Sequence, residues 1–435
     1  METTAADEVT GICRDLLRID TTNTGDQSTT VGERVAAEYV AAKLDEAGIA
    51  YELHESAPRR ANLVARIPGA DSSRGALLIH GHLDVVPADK REWSVDPFSG
   101  EEKDGFLWGR GAIDMKDFDA MMLAMVRDWK RTGYVPPRDV VLAFTADEEA
   151  GMEYGSMFLV REHADLLEGC TEAIGEVGGY SYTVNNDLRL YLVQTAEKGL
   201  DWLRLHATGR PGHGSFIHDD NAVTALAEAV AAVGRHRFPV VVTPTVRRFL
   251  QEVGDALHID IDPEDPELAI AKLGPIANLI GATIRNTANP TRLEAGYKDN
   301  VIPGKASATI DCRTLPGYEN EFLEQLRDVI GPDIEIEHNH RQHAVETPFE
   351  GDLVDAMGAA LRAEDPGART IPYLMSGGTD AKAFSTLGIR CFGFAPLRLP
   401  PDLNFAALFH GIDERVPVEG LKFGVRVLDR LLRNS

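Results

Sequence analysis

Residues 75–84 read GALLIHGHLD: a short apolar run at 76–79 breaks into two histidines and an aspartate. A short apolar run bounded by glycine and polar groups suits a strand. The pattern recurs at 140–144, 173–174 and 390–394, each run again ending in glycine or polar residues. Between these runs lie helix-like stretches at 118–129 and 157–164, and residues 31–47 carry apolar side chains at helical spacing up to Gly48. Strands alternating with helices predict an α/β domain built on a mixed, largely parallel sheet with flanking helices.

The texture changes near Glu197. Residues 200–207 (LDWLRLHA) alternate polar and apolar, as a half-buried antiparallel strand does. An alanine-rich helix at 221–234, an irregular stretch, strands at 292–297 and 307–313, a helix at 319–330 and a strand at 334–338 follow. In order this is β-α-β-β-α-β, the pattern of a ferredoxin-like α+β sandwich. The expected organisation is a catalytic domain in two parts, 1–195 and 346–435, with a lid or dimerisation domain inserted at 196–345. A chain of 435 residues is long enough for this arrangement and needs no disulfide to stabilise its core.

Composition removes several classes of function. Lys and Arg number 44 against 69 Asp and Glu, a formal charge of -25 that opposes binding to nucleic acid or to an anionic membrane surface. Cys13, Cys170, Cys312 and Cys391 are scattered singly, without the C-x-x-C spacing of a cysteine zinc site, and are expected to be reduced. The first residues lack a basic start followed by an apolar core, and no apolar run approaches the ~18 residues that span a bilayer, so a cytoplasmic location is expected.

The chemistry-bearing residues follow the predicted strands, where open α/β sheets bind their ligands. HGHLD (80–84) supplies His82, with Asp84 two residues on in position to orient it, since a ligating histidine commonly gives its other ring N–H to a carboxylate. TADEEAG (145–151) supplies Glu148 and Glu149, neighbours that an extended segment points in different directions. Asp114 lies in the glycine-punctuated turn GRGAIDMK (109–116), Glu176 in GEVGG (175–179) and His410 in FHGIDE (409–414). Singly, each also reads as an ordinary loop histidine, solvated acid or helix cap. Together, two histidines and several carboxylates at strand ends suit a pair of zinc-like ions better than magnesium, because imidazole is prominent. Such a pair is a common device for hydrolysing amides or esters.

The ordered set HGHLDVVP, GRGAIDMK, TADEEAG, GEVGG, GHGS, NVIPGKASATIDCRTLPG, SGGTDAKAF and FHGIDE resembles the aminoacylase, succinyl-diaminopimelate desuccinylase, acetylornithine deacetylase and carboxypeptidase family of di-zinc metallopeptidases. LYLVQTAEKG (190–199) and WSVDPFSGEEKDGFLWGRG (93–111) look nearest to its aminoacylase and yeast vacuolar carboxypeptidase branch. The resemblance implies two divalent ions per chain, Zn2+ with Co2+ or Mn2+ as substitutes. Asp114 would bridge them, with His82 and Glu176 completing one and Glu149 and His410 the other. It further implies Glu148 as general base for a metal-bridged hydroxide, with Asp84 orienting His82. His213, in GHGS, would act across a homodimer formed through the inserted domain. Asn300 and Arg313, with the backbone around Gly378 and Thr379, would hold the carboxylate of a small substrate. The implied reaction is hydrolysis of an amide bond in an N-acyl amino acid or short peptide. Dipeptidase or desuccinylase specificity is an alternative within the family. A non-catalytic metal-binding scaffold is the alternative outside it, but would be expected to lack the base or some ligands, and all are present.

Overall fold

The computed structural model describes residues 3–273 and 281–435. The chain forms two compact units. The first takes the residues up to Gln194 with Thr347–Ile371 and Thr379–Ser435; the second takes Thr195–Glu346 with Pro372–Gly378. The short segment Pro372–Gly378, which the sequence reading left with the first unit, therefore groups with the second.

In the first unit the strands Val140–Thr145, Ala76–His82, Cys170–Gly175 and Arg390–Gly393 lie side by side and parallel. The hairpin Glu52–Ala57/Arg60–Ile67 extends the Val140–Thr145 edge in antiparallel fashion, and Arg189–Glu197 joins Arg390–Gly393 antiparallel on the other side. The parallel strands read as unbroken apolar runs because both faces are covered. Leu77, Ile79, Leu142 and Phe144 point into one apolar cluster, with the helices Ala5–Leu17, Arg34–Ala47, Lys116–Thr132 and Val418–Asn434. Leu78, Val141 and Ala143 point into another, against Ser156–Glu162 and Ala381–Ser385.

Local chemistry sets the helix ends. Arg34–Ala47 and Lys116–Thr132 stop at Gly48 and Gly133, both in the left-handed conformation that glycine adopts at no steric cost. The helix Ala5–Leu17, absent from the sequence reading, starts at a capping box in which Thr4 and Asp7 exchange hydrogen bonds.

The second unit carries the antiparallel sheet Thr287–Ala295, Lys305–Thr314, Gly199–Thr208, Glu335–Gln342, in that spatial order. The helices Ala222–Arg235 and Glu319–Ile330 cover one face, burying Leu203, Leu205, Ile310, Leu226 and Phe322 together. This is the order expected of a ferredoxin-like sandwich. The stretch read as irregular contains two helices, Pro244–Leu257 and Pro266–Lys272. The first had a legible start: Thr243 accepts from the Val246 amide, Pro244 takes the first helical position, and Val246, Phe249, Leu250 and Val253 form a buried stripe. Part of that same stretch, 274–280, lies outside the described residues.

Candidate metal centre

Three neighbouring parallel strands deliver the centre. Ala76–His82 ends on His82, Glu148 and Glu149 form a 3-10 turn just past Val140–Thr145, and Glu176 follows Cys170–Gly175. Asp114 precedes the helix Lys116–Thr132, and His410 follows the short turn Phe405–Ala407. Gly178 lets the chain after Glu176 close on the neighbouring strand: a Cβ there would stand 2.0 Å from the Gly393 carbonyl oxygen.

Asp114 joins two groups of donors. Its Oδ1 is 3.1 Å from His82 Nε2, which lies 3.4 Å from Glu176 Oε2. Its Oδ2 is 3.2 Å from His410 Nε2, which lies 3.0 Å from Glu149 Oε2. Among the described residues, His82–Asp114–Glu176 and Asp114–Glu149–His410 are the groups whose donor atoms all fall within 4.8 Å of one another. The first is buried throughout, whereas the second opens outward, with His410 exposed. Glu149 Oε1 is buried and has no hydrogen-bond partner. A buried carboxylate oxygen without a partner, beside imidazole nitrogens and further carboxylates, fits a pair of divalent cations sharing Asp114.

The electrostatics describe the same crowding. Burial pushes Glu176 up to about 8 and holds Glu148 well above the ordinary glutamate value, with the Glu176 charge adding to the effect on Glu148. Hydrogen bonds to Asp114 and Glu149 carry His410 up to about 10. Burial opposes ionisation of Asp114, but the imidazoles of His410 and His82 outweigh it and hold the carboxyl below its usual range.

Asp84 meets His82 differently from the expectation. The closest acceptor to His82 Nδ1 is the Asp84 backbone oxygen at 3.0 Å, and the carboxylate Oδ1 stands at 3.5 Å. The carboxylate instead accepts the backbone N–H of Glu148 (3.1 Å) and of Glu149 (3.2 Å), together with Asn23 Nδ2 (2.9 Å). Asn23, Arg60 and Asp147, which lie behind Asp84, were not singled out from sequence. Neither was the Arg110–Glu414 pair beside Asp114. No local pattern marks them, because their partners lie tens to hundreds of residues away.

The remaining predicted residues lie in the second unit or at its edge. His213 and Asn300 are brought together by the short ladder Gly212–His213/Val301–Ile302, where Gly214 N donates to the Asn300 carbonyl oxygen at 3.0 Å. The Ser215 amide donates to His213 Nδ1 at 3.2 Å, which leaves the proton of a neutral ring on Nε2. Arg313 is half-buried and forks onto Asp311, with Nε 2.7 Å from Oδ1 and Nη2 3.1 Å from Oδ2. Gly378 closes the segment Pro372–Gly378 of the second unit, and Thr379, buried in the first, accepts from the Ala381 amide.

Residues 78–434 match peptidase family M20/M25/M40. The chain belongs to this family. Aminoacylase-1 of Pongo abelii is 27% identical over 394 residues, covering 88% of this chain and 86% of that protein. The N-fatty-acyl-amino acid synthase/hydrolase PM20D1 of Mus musculus is 28% identical over 417 residues, 88% of this chain and 78% of its own. A probable carboxypeptidase S-like protein of Dictyostelium discoideum is 28% identical over 400 residues, covering 86% of this chain and 74% of its own. Among solved structures, an M20 metallo-carboxypeptidase of Sulfolobus solfataricus superposes with a TM-score of 0.73 at 19% identity, over 98% of this chain and 99% of that one. These findings put the chain in the aminoacylase and carboxypeptidase branch of M20, as a metal-dependent hydrolase on a mixed α/β fold. Among the described residues of this M20 hydrolase, no helix is long and apolar enough to cross a membrane.

Proposed function

We propose that this chain hydrolyses the amide bond of an N-acyl amino acid or short peptide carrying a free carboxylate, using two divalent cations held by His82, Asp114, Glu176, Glu149 and His410. The observation that carries the reading is the sharing of Asp114: its two oxygens each meet one histidine, at 3.1 and 3.2 Å, with Glu148 on the adjoining turn. Zinc suits this ligand set best, and cobalt and manganese suit it as substitutes. When bound, such a pair lowers the pKa of a water and polarises the scissile carbonyl.

The protein's residues do the rest. Glu148 takes the proton from the attacking water and hands it to the leaving amine; burial, with the Glu176 charge beside it, raises its pKa above the ordinary glutamate value and so favours its holding a proton. Asp84 holds the turn that carries Glu148 through two backbone N–H groups. Asn300 and Arg313, with the backbone at Gly378 and Thr379, take the substrate carboxylate, for which the planar guanidinium fork is suited. To do so Arg313 exchanges its contact with Asp311 for the substrate. His213 of a second copy, carrying its proton on Nε2, donates to the developing oxyanion, so the active form is a homodimer through the second unit. An N-acyl amino acid is favoured over a dipeptide because aminoacylase-1 and the fatty-acyl-amino acid hydrolase align over most of the chain.

Amine release tests the reading, across N-acetyl and longer N-acyl amino acids, dipeptides and succinyl-diaminopimelate, each with a chelator control. Glu148→Gln at full metal loading is expected to lose about 10²–10⁴-fold in kcat. Wild-type turnover by that variant, or release that a chelator leaves untouched, rules the reading out.

A further inference from the structure

Behind Asp84 runs a buried polar chain to which the reaction assigns no work. Asn23 is 4% exposed and all four hydrogen-bonding positions of its amide are used. Its Nδ2 donates to Asp84 Oδ2 at 2.9 Å and to Asp147 Oδ1 at 3.0 Å. Its Oδ1 accepts from the Gly25 amide at 3.0 Å and from Thr30 Oγ1 at 3.2 Å. Flipping the amide would turn an oxygen toward two carboxylates, so the network itself fixes its orientation.

Asp147 continues the chain. Its Oδ1 also accepts from Arg60 Nη2 at 2.7 Å, and its Oδ2 accepts from the Tyr154 amide at 3.0 Å. Asp147 sits in the left-handed region at φ 64, immediately before Glu148, where it starts the turn. Arg60, 2% exposed, is gripped from behind by the fully buried Glu33: Nε lies 2.9 Å from Oε2 and Nη2 2.9 Å from Oε1. The guanidinium also lies over the Tyr154 ring. Glu33, Arg60, Asp147, Asn23 and Asp84 thus alternate acid and donor without a gap, and the chain ends on the backbone N–H groups of Glu148 and Glu149.

We infer that Asn23 and Arg60 are positioning residues for the Glu148–Glu149 turn: Asn23 ties Asp84 to Asp147, Arg60 anchors Asp147, and the two carboxylates hold the segment 147–154, Asp84 at the Glu148 and Glu149 amides and Asp147 at the Tyr154 amide. Two buried carboxylates facing each other would repel without the amide between them, so the donor at position 23 is what lets both act on one short segment. The inference rests on the reading of Glu148 as general base, and its test separates the two.

The test compares Asn23→Ala, Thr30→Ala and Glu148→Gln in the full-length protein loaded with zinc. Removing Arg60 leaves Glu33 and Asp147 as unpaired buried charges and endangers folding, so the Asn23 variant is decisive. With two metals per chain retained, Asn23→Ala is expected to lose about 10–100-fold in kcat, the range for partners behind a metal site, with KM changed less than about twofold. Thr30→Ala, which removes one of the two donors to the Asn23 oxygen, is expected to lose less. Hydrogen exchange supplies a readout independent of activity. The Glu148 and Glu149 amides are expected to exchange about tenfold faster in Asn23→Ala, while the strand Ala76–His82 keeps its protection. Wild-type kcat with unchanged exchange at these two amides overturns the inference, as does a lowered melting temperature with kcat per folded chain intact. If Glu148→Gln is itself fully active, the general-base reading fails instead, and the exchange result alone decides whether Asn23 holds the turn.

Discussion

Arg110 Nη1 lies 2.7 Å from Glu414 Oε2, both side chains being buried, and this pair joins the turn that carries Asp114 to the turn that carries His410. The same glutamate accepts the backbone N–H of Gly111 at 3.1 Å and of Ile113 at 2.8 Å, while Arg110 Nη2 donates to the Gly411 carbonyl at 3.0 Å. Next to it, Arg415 pairs with Trp108 in the small antiparallel sheet formed by Arg415–Pro417, Phe106–Trp108 and Glu101–Lys103. Backbone pairing sets the register of the two turns, and the ion pair locks it.

Glu414→Ala strands Arg110 as an unpaired buried charge. A loss of about 3–5 kcal/mol in stability, read from denaturant melts, is expected. Metal analysis of the folded fraction is expected to show the ion bound by His410 depleted before the one bound by His82. Retention of both at wild-type affinity would show that backbone pairing alone holds the turns together.

The two halves of the centre differ in access. The His82 side chain is fully buried and that of His410 is 56% exposed. Chelation is therefore expected to proceed in two phases, with one ion per chain leaving about tenfold faster than the other. His410→Ala is expected to abolish the fast phase and spare the slow one. A single phase releasing both ions together would contradict this.

Protons and metal compete for the same groups. In the fold Glu176, raised by burial, keeps its proton to about pH 8 against 4.5 ordinarily, and His410, raised by its bonds to Asp114 and Glu149, keeps its proton to about pH 10 against 6.5. Both pKa values lie above those of the unfolded chain, so the chelator-treated fold binds the extra protons and loses stability as pH rises. The Glu176 contribution fades between pH 4.5 and 8. That of His410 is complete below 6.5 and lost through about 10. Metal affinity runs the other way, rising with pH as uptake releases protons. Thermal melts of chelator-treated protein from pH 6 to 9 check the sign, and a melting point that climbs over this range refutes it.

Val177 sits beside Glu176 at φ 56, in the left-handed region that a β-branched residue rarely adopts. Val177→Gly relieves about 1–2 kcal/mol of backbone strain and gives back about 0.4–1 kcal/mol through the freer unfolded chain. A net gain of about 0.5–1 kcal/mol in denaturant melts is expected, with Glu176 and metal binding undisturbed. A loss of stability would mean that packing of the isopropyl group outweighs the strain.

Much of the molecule was readable locally. The apolar runs at 76–79 and 140–144 are buried on both faces, and such strands cannot alternate. Glycines at 48 and 133 end helices where the pattern stops. The helix Pro244–Leu257 lies inside the stretch read as irregular, although Thr243 and Pro244 mark its start. His82, Glu149 and Glu176 follow apolar strand runs and stand out there, but it was the family resemblance of the ordered motifs that joined them with Asp114 and His410 into one ligand set.

Composition and periodicity by themselves determined the parallel strands of the first sheet, the β-α-β-β-α-β order of the segment after Glu197, and the presence of imidazoles and carboxylates behind those strands. These follow from rules that act over a few residues: side-chain period, turn chemistry and the need to bury apolar surface. What only the tertiary structure decided is who holds whom. The Asp84 carboxylate lies closer to the Glu148–Glu149 amides than to His82, which the Asp84 backbone oxygen meets instead; Asn23 bridges two carboxylates 61 and 124 residues away, and Glu414 reaches back 301 residues to Ile113. A buried polar group must find a partner wherever the fold places one. That partner is chosen by proximity in space after the sheet has closed, which no local pattern in the chain encodes.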